Sequence, residues 1–261
     1  MTEPAIIGLL HPGEMGAAVG RCLTERGFEV LWAAERRSPA TAARAAEAGL
    51  TDVGTIAAMA GRAGVLLTVC PPHAAIDVAT VARGFGGLYI DANAIAPTTA
   101  QEVAAIVESG GATYVDGGII GPPPAEPGST RLYLSGPAAG KVSALFAGTP
   151  LDARVVAGDP YAASAVKMAY AAWTKGSAAL LLAARALAEA EGVGDVLLAE
   201  WKLSQPGLEG RHAGAARSAA AKGWRWTAEM EQIAASMASA GLPSGLHQAA
   251  AEIFRGFPRA K

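Results

Sequence analysis

Ala5-Ile6-Ile7-Gly8-Leu9-Leu10-His11-Pro12-Gly13-Glu14-Met15-Gly16-Ala17-Ala18 reads as a buried strand, a glycine-rich turn and a helix beginning near Glu14. Each glycine has a physical task if the turn holds a dinucleotide. Gly8 permits a tight turn off the strand, Gly13 lets backbone approach a pyrophosphate, and Gly16 lets helix and strand pack closely. The helix start adds unpaired N–H groups and the positive end of a dipole. Candidate nucleotide contacts here are Gly8, Leu10, His11, Pro12, Gly13, Glu14, Met15 and Gly16. The spacing departs from G-x-G-x-x-G, because Leu10-His11-Pro12 reads as an insertion before the second glycine. An ordinary strand-to-helix loop is the alternative reading.

Working outward, short apolar segments alternate with helical ones. Strands are expected at Phe28–Ala33, Val65–Val69, Leu88–Asp91, Thr113–Val115, Leu132–Leu134 and Arg154–Val156. Helices are expected from Met15 to Arg26 and at Pro39–Ala48, His73–Ala82 and Pro97–Ser109. Strands alternating with helices imply βαβ units and a parallel sheet. The expected fold is therefore α/β, with a Rossmann-type doubly wound sheet over residues 1–160.

The character changes at Asp159-Pro160. From Tyr161 to Glu191 there is no proline and one glycine, Gly176, which predicts one long helix. Further helices fit Asp195–Lys202, Gly207–Ala221, Trp226–Ala240 and Ser244–Arg255, with no strand pattern after Val156. Residues 161–261 are expected to form an all-helical domain, tied to the first by the long helix.

Composition narrows the function classes. Of 261 residues, 51% are hydrophobic and 17% charged, too apolar for disorder. The net charge of −2, without a basic run, points away from nucleic acid and anionic membranes. Apolar runs such as Gly64–Val69 are too short to span a bilayer. Cys22 and Cys70 make no disulfide framework, so a reducing, cytoplasmic setting is expected. His11, His73, His212 and His247 show no metal-ligand spacing, and no metal site is expected.

Several strand ends carry chemistry. Ala34-Glu35-Arg36-Arg37-Ser38 follows the second strand, where an acid binds the ribose hydroxyls of NAD and an arginine accommodates the 2′-phosphate of NADP. Arg36, Arg37 and Ser38 favour NADP(H), although an inward Glu35 favours NAD(H), and a solvated turn is the plain alternative. Cys70-Pro71-Pro72-His73 should lie at the carboxyl edge of the sheet, with Cys70 and Pro71 against the nucleotide. Asn93 offers a donor and an acceptor to a carboxamide or a substrate oxygen, or else caps the following helix. Asp116-Gly117-Gly118-Ile119-Ile120-Gly121-Pro122 reads as a second glycine-bearing loop, where Ile120 and Gly121 are candidate substrate contacts or a tight turn.

Lys167 is the candidate for proton transfer. On the apolar face of the long helix its amine would be desolvated, which lowers its pKa toward a useful range. A snorkelling lysine is the alternative. Tyr170, Ala171 and Lys175 can share its face, which makes Tyr170 and Lys175 candidate substrate contacts.

Taken together, these stretches resemble the β-hydroxyacid dehydrogenase family, relatives of 6-phosphogluconate and 3-hydroxyisobutyrate dehydrogenases. The matches run in order through Gly8…Gly13-Glu14-Met15-Gly16, Arg37-Ser38-Pro39, Asp91-Ala92-Asn93…Pro97, Asp116-Gly117-Gly118-Ile119-Ile120-Gly121 and Gly128…Leu132…Gly136. The helix of Lys167 looks like the family's catalytic helix. The C-terminal part, with Trp201, Gln205-Pro206, Arg211, Lys222-Gly223-Trp224-Arg225-Trp226 and Gly241-Leu242-Pro243, looks like a less characterised subgroup.

The resemblance implies NADPH-dependent hydride transfer to or from a carbonyl or alcohol, with Lys167 as proton donor. It also implies a homodimer through the helical domain. Two positions depart from the family's pattern: Ala171 stands for an asparagine and Ile120 for a carboxylate-binding serine. The substrate range thus includes a hydroxy acid, a more apolar ketone or an imine. An imine reductase and a non-catalytic NADPH-binding protein are the rival readings.

Overall fold

A computed structural model describes residues 5–257. Among them the chain divides into two compact units, one ending at Lys167 and one beginning at Met168. No helix of the described residues is long and apolar enough to cross a membrane.

The first unit is one sheet of eight strands in the order β3-β2-β1-β4-β5-β6-β7-β8. The strands are β1 Ile7–Leu9, β2 Val30–Trp32, β3 Thr51–Asp52, β4 Val65–Thr68, β5 Leu88–Asp91, β6 Thr113–Ile120, β7 Thr130–Ser135 and β8 Leu151–Val155. All neighbours run parallel except β7, which is antiparallel to β6. β1 and β4 are buried at every residue, as strands covered on both faces must be. The chain winds one way from β1 to β3 and the other way from β4 onward. The crevice between the ends of β1 and β4 is therefore the topological switch point, where open α/β sheets bind ligands.

Helices α1 Glu14–Glu25, α2 Pro39–Glu47, α3 Ile56–Arg62, α4 Ala75–Val81, α5 Pro97–Glu108 and α6 Ala139–Leu145 make most of the connections. One core packs Ile7, Leu9, Val30, Val65, Leu67, Ile90 and Leu132 under α1, α2 and α6. The other packs Leu66, Tyr89 and Tyr114 under α3, α4 and α5. Local chemistry sets the boundaries. Ser38 caps α2 by accepting from Thr41 N at 3.3 Å, with Pro39 at the first helical position. Thr55 does the same for α3 through Ala58 N at 3.1 Å.

Four expectations need correction. β3, α3 and α6 have no counterpart in the sequence reading, being too short for a clear period. The helix expected at His73–Ala82 opens as a 3-10 turn, Pro72–Ala74, because prolines supply no N–H there. The loop expected from Asp116 is strand: β6 runs to Ile120, and the chain bends only from Gly121, at φ +129°. Gly117 and Gly118 are needed for space, not for turning. A Cβ at Gly117 would lie 2.8 Å from Asp91 O, and one at Gly118 would lie 2.8 Å from Ala163 O.

α7 runs from Ala162 to Ala190. From Met168 the second unit adds α8 Gly194–Ser204, α9 Leu208–Ser239 and α10 Gly245–Arg255. α9 is the fourth correction, being one helix where two were expected. Gly223 does not break it, since its missing side chain admits Phe257, whose Cβ would lie 2.9 Å from a Cβ at that site. Trp226 packs edge-on to Phe254, with ring centroids 5.0 Å apart.

Candidate functional site

The segment that leaves β1 is Leu10-His11-Pro12-Gly13. Gly8 lies inside β1, where a Cβ would sit 2.6 Å from Leu66 Cδ2 and 2.8 Å from Met59 Cγ. It is therefore a packing glycine, and the expected role in the turn is corrected. The chain bends at Leu10 and Gly13, and Gly16 faces His11: a Cβ there would lie 2.0 Å from His11 O. Gly13 is the N-cap of α1, has no side-chain cap, and looks onto open space. Gly13 N donates to His11 O at 2.9 Å, and no side chain caps the start of α1.

His11 Nδ1 is buried without a partner, and burial followed by the nearby Arg37 charge lowers its pKa to about 4. At neutral pH this imidazole is uncharged. Arg37 Nη2 donates to Leu10 O at 3.1 Å, so Arg37 braces the turn. Arg36 adopts φ +58°, and its side chain is 91% exposed, 3.8 Å from Glu35. Ser38 is engaged as the α2 cap. Of the three residues expected around a ribose phosphate, Arg36 is thus the outward one.

Across the switch point, Asn93 Oδ1 accepts from Cys70 N at 2.6 Å. Its role as a helix cap does not arise, because Ala96 holds that position before α5. Asn93 Nδ2 stays buried without a partner, so this residue offers a ligand its donor end only. Cys70 is buried and its thiol is pushed up to about 12, mainly by desolvation, which removes it as a nucleophile. Pro71 and His73 are exposed.

Lys167 lies over β6. Its Nζ donates to Ile119 O at 2.8 Å, and a Cβ on Gly118 would come within 2.9 Å of Lys167 Cβ. Burial lowers the amine from 10.5 to about 8. Ile120 is buried, 3% exposed, beside the exposed Gly121.

In the second unit, Tyr170 is exposed and Lys175 is ion-paired with Glu229. That pairing commits the Lys175 amine to the interior of the helical unit.

The sequence reading gave no role to a row of buried polar residues on the α5 side of the sheet. Thr68, Asp91, Asp116 and Ser135 stand opposite one another on β4, β5, β6 and β7, none more than 1% exposed. Asp116 accepts from Ser164 Oγ at 2.5 Å, Ser164 N at 2.7 Å and Ser135 Oγ at 3.0 Å. Burial raises its carboxyl while those bonds oppose the rise. Asp91 takes one bond, from Asn93 N at 2.9 Å, and burial pushes it up to about 7, against that bond and with help from Asp116. The available signal was an acid ending each of two apolar strand segments.

An open sheet with an uncapped helix start at its switch point, an orphan amide donor and a desolvated lysine defines a dinucleotide-binding, dehydrogenase-like domain. Comparison makes the assignment particular. Residues 5–144 match the NAD binding domain of 6-phosphogluconate dehydrogenase, and the chain belongs to that family. Residues 188–257 match a domain of unknown function, DUF1932.

Among solved structures, the chain is similar to MTH1747, a conserved protein of unknown function described as similar to 3-hydroxyacid dehydrogenases. Identity is 25%, coverage 97% of this chain and 96% of that one, and TM-score 0.71. It also shares the fold of Mycobacterium tuberculosis 3-hydroxyisobutyrate dehydrogenase solved with L-serine, at 20% identity, 97% and 94% coverage and TM-score 0.72. The reductive aminase from Aspergillus terreus solved with NADPH and ethyl levulinate has the same fold, at 20% identity, 97% and 93% coverage and TM-score 0.61. No curated protein matches the chain.

Proposed function

We propose that this chain is an NADPH-dependent oxidoreductase acting on a carbonyl/alcohol pair, with Lys167 as its proton donor and acceptor. The observation that carries the reading is the Lys167 amine, lowered to about 8 by burial and held at 2.8 Å by Ile119 O. Below pH 8 the charged amine donates to a nascent alkoxide. Above it, the neutral amine accepts the proton of an alcohol. Reduction should therefore slow, and oxidation quicken, as pH rises through about 8.

A bound nicotinamide dinucleotide would supply the hydride. The residues suited to hold it are Gly13 and Gly16 at the α1 start, Asn93 through its free amide donor, and Cys70 and Pro71 beside it. Arg36 supports NADP over NAD, since its guanidinium projects outward while Glu35, the competing acid, lies against it. Residues 1–160 would carry the nucleotide and residues 161–261 the substrate and dimer contacts. A homodimer is supported by one stripe on α7, where Tyr170, Trp173, Leu180 and Leu187 are 46%, 67%, 62% and 63% exposed.

A second reading, imine reduction, draws on Ile120. That apolar side chain offers no bond to a substrate carboxylate. The test is a carbonyl and imine panel with NADPH and NADH, run on the wild type, Lys167→Ala and the Arg36→Ala/Arg37→Ala double variant. The proposal expects turnover that prefers NADPH, falls by about 100-fold or more without Lys167, and loses its NADPH preference without the arginines. NADPH turnover that Lys167→Ala leaves unchanged would refute the role of the lysine.

A further inference from the structure

We propose that Asp116, acting through Ser164 and Ser135, is the positioning residue for Lys167. This inference rests on the reading of Lys167 as the proton-transfer group, and its geometry lies wholly within the first unit.

A helix begins with N–H groups that lack intrahelical partners. In α7 two of them are satisfied from the sheet. Ala163 N donates to Ser135 Oγ at 2.9 Å, and Ser164 N donates to Asp116 Oδ2 at 2.7 Å. Ser164 Oγ donates to the other carboxylate oxygen, Oδ1, at 2.5 Å. The carboxylate thus grips Ser164 at backbone and side chain together, and the positive end of the helix favours its charge.

The geometry carries that grip to Lys167. Ser164 and Lys167 are three residues apart on α7, while Asp116 and Gly118 are two apart on one face of β6. The first turn of α7 thus meets β6 at two points, Ser164 at Asp116 and Ala163 with Lys167 at Gly118. Gly118 is the second contact, since a Cβ there would meet Ala163 O at 2.8 Å and Lys167 Cβ at 2.9 Å. With its stem pressed on Gly118 and its amine on Ile119 O, Lys167 is registered to β6 at both ends. Asp116 is the pin that sets the register. Asp91, directly across from Asp116, makes no such grip: its Oδ2 has no partner.

The test reads the Lys167 amine without requiring turnover. Full-length protein is labelled with acetic anhydride across a pH series, and each lysine is followed by mass spectrometry. Wild-type Lys167 should label with a midpoint near 8, and the exposed Lys202 serves as the internal control. Ser164→Ala removes one bond of the grip and keeps the backbone one. It should move the Lys167 midpoint up by about one pH unit or more, toward the ordinary lysine value, and leave Lys202 unmoved. Ser164→Thr, which keeps the hydroxyl, should restore the wild-type midpoint.

Asp116→Asn should shift Lys167 further, and if that variant does not fold, Ser164→Ala decides alone. A Lys167 midpoint unchanged in folded Ser164→Ala overturns the proposal. If the shift occurs but Lys167→Ala leaves turnover untouched, the positioning stands and the catalytic reading falls.

Discussion

Replacing Lys167 by methionine should make the protein more stable at pH 7. Methionine has a similar length and no charge, so it fills the site without the cost of an ammonium over β6. In the unfolded chain the amine has its ordinary value of 10.5, and in the fold it lies at about 8. At about 1.4 kcal/mol per pH unit, the charged lysine costs the fold about 3 kcal/mol at pH 7. Methionine also leaves Ile119 O without its donor, a loss of about 1 kcal/mol. The net gain for Lys167→Met is then about 2 kcal/mol.

The sign follows from proton binding. Between pH 8 and 10.5 the unfolded chain holds a proton on this lysine that the folded chain has released. Wild-type stability from this group therefore rises with pH across that window. The advantage of Lys167→Met should shrink above pH 8 and turn into a deficit of about 1 kcal/mol by pH 10.5, where only the lost hydrogen bond remains. Urea unfolding of both proteins at pH 7, 9 and 10.5 measures the difference, and groups common to both cancel. A variant less stable at pH 7, or a gap that ignores pH, would refute the reasoning.

Gly118→Ala should destabilise by about 1–3 kcal/mol, because its Cβ meets helix backbone that has no room to yield. Thermal melts should show it, and an unchanged midpoint would mean that α7 does not press on β6 there. Leu180→Glu, placed in the exposed α7 stripe, should convert a dimer to a folded monomer in light scattering after gel filtration. A wild type already monomeric would remove the reason for that stripe.

Much of the first unit was legible because β1, β2 and β4 are buried at every residue and read as continuous apolar runs. Pro39, Pro97 and the glycine-bearing turns marked helix ends correctly for the same local reasons. Gly8, Gly117 and Gly118 were misread because a glycine in sequence looks the same whether it turns the chain or makes room for a neighbour. Only the neighbour distinguishes them: Met59 for Gly8, Ala92 for Gly117, and the first turn of α7 for Gly118. Gly223 lies in the break expected between two helices and instead sits inside α9, where it admits Phe257. Lys167 stood out as a cation on an apolar face with few charges around it, and the structure adds its acceptor, Ile119 O, which no spacing rule supplies.

By itself, then, the sequence determined the alternation of strands and helices, the glycine-bearing start of α1, the arginines after β2 and the lysine on α7. These follow from periodicity, capping and charge, which act between residues close along the chain. Tertiary structure alone decided which buried groups meet. Thr68, Asp91, Asp116 and Ser135 are far apart in sequence, yet strand register sets them side by side. Among the described residues Asp116 accepts from Ser164 N, Ser164 Oγ and Ser135 Oγ, whereas Asp91 accepts from Asn93 N and leaves Oδ2 without a partner, which burial makes costly. That inequality, created by packing, is what distinguishes two carboxylates that are alike in sequence.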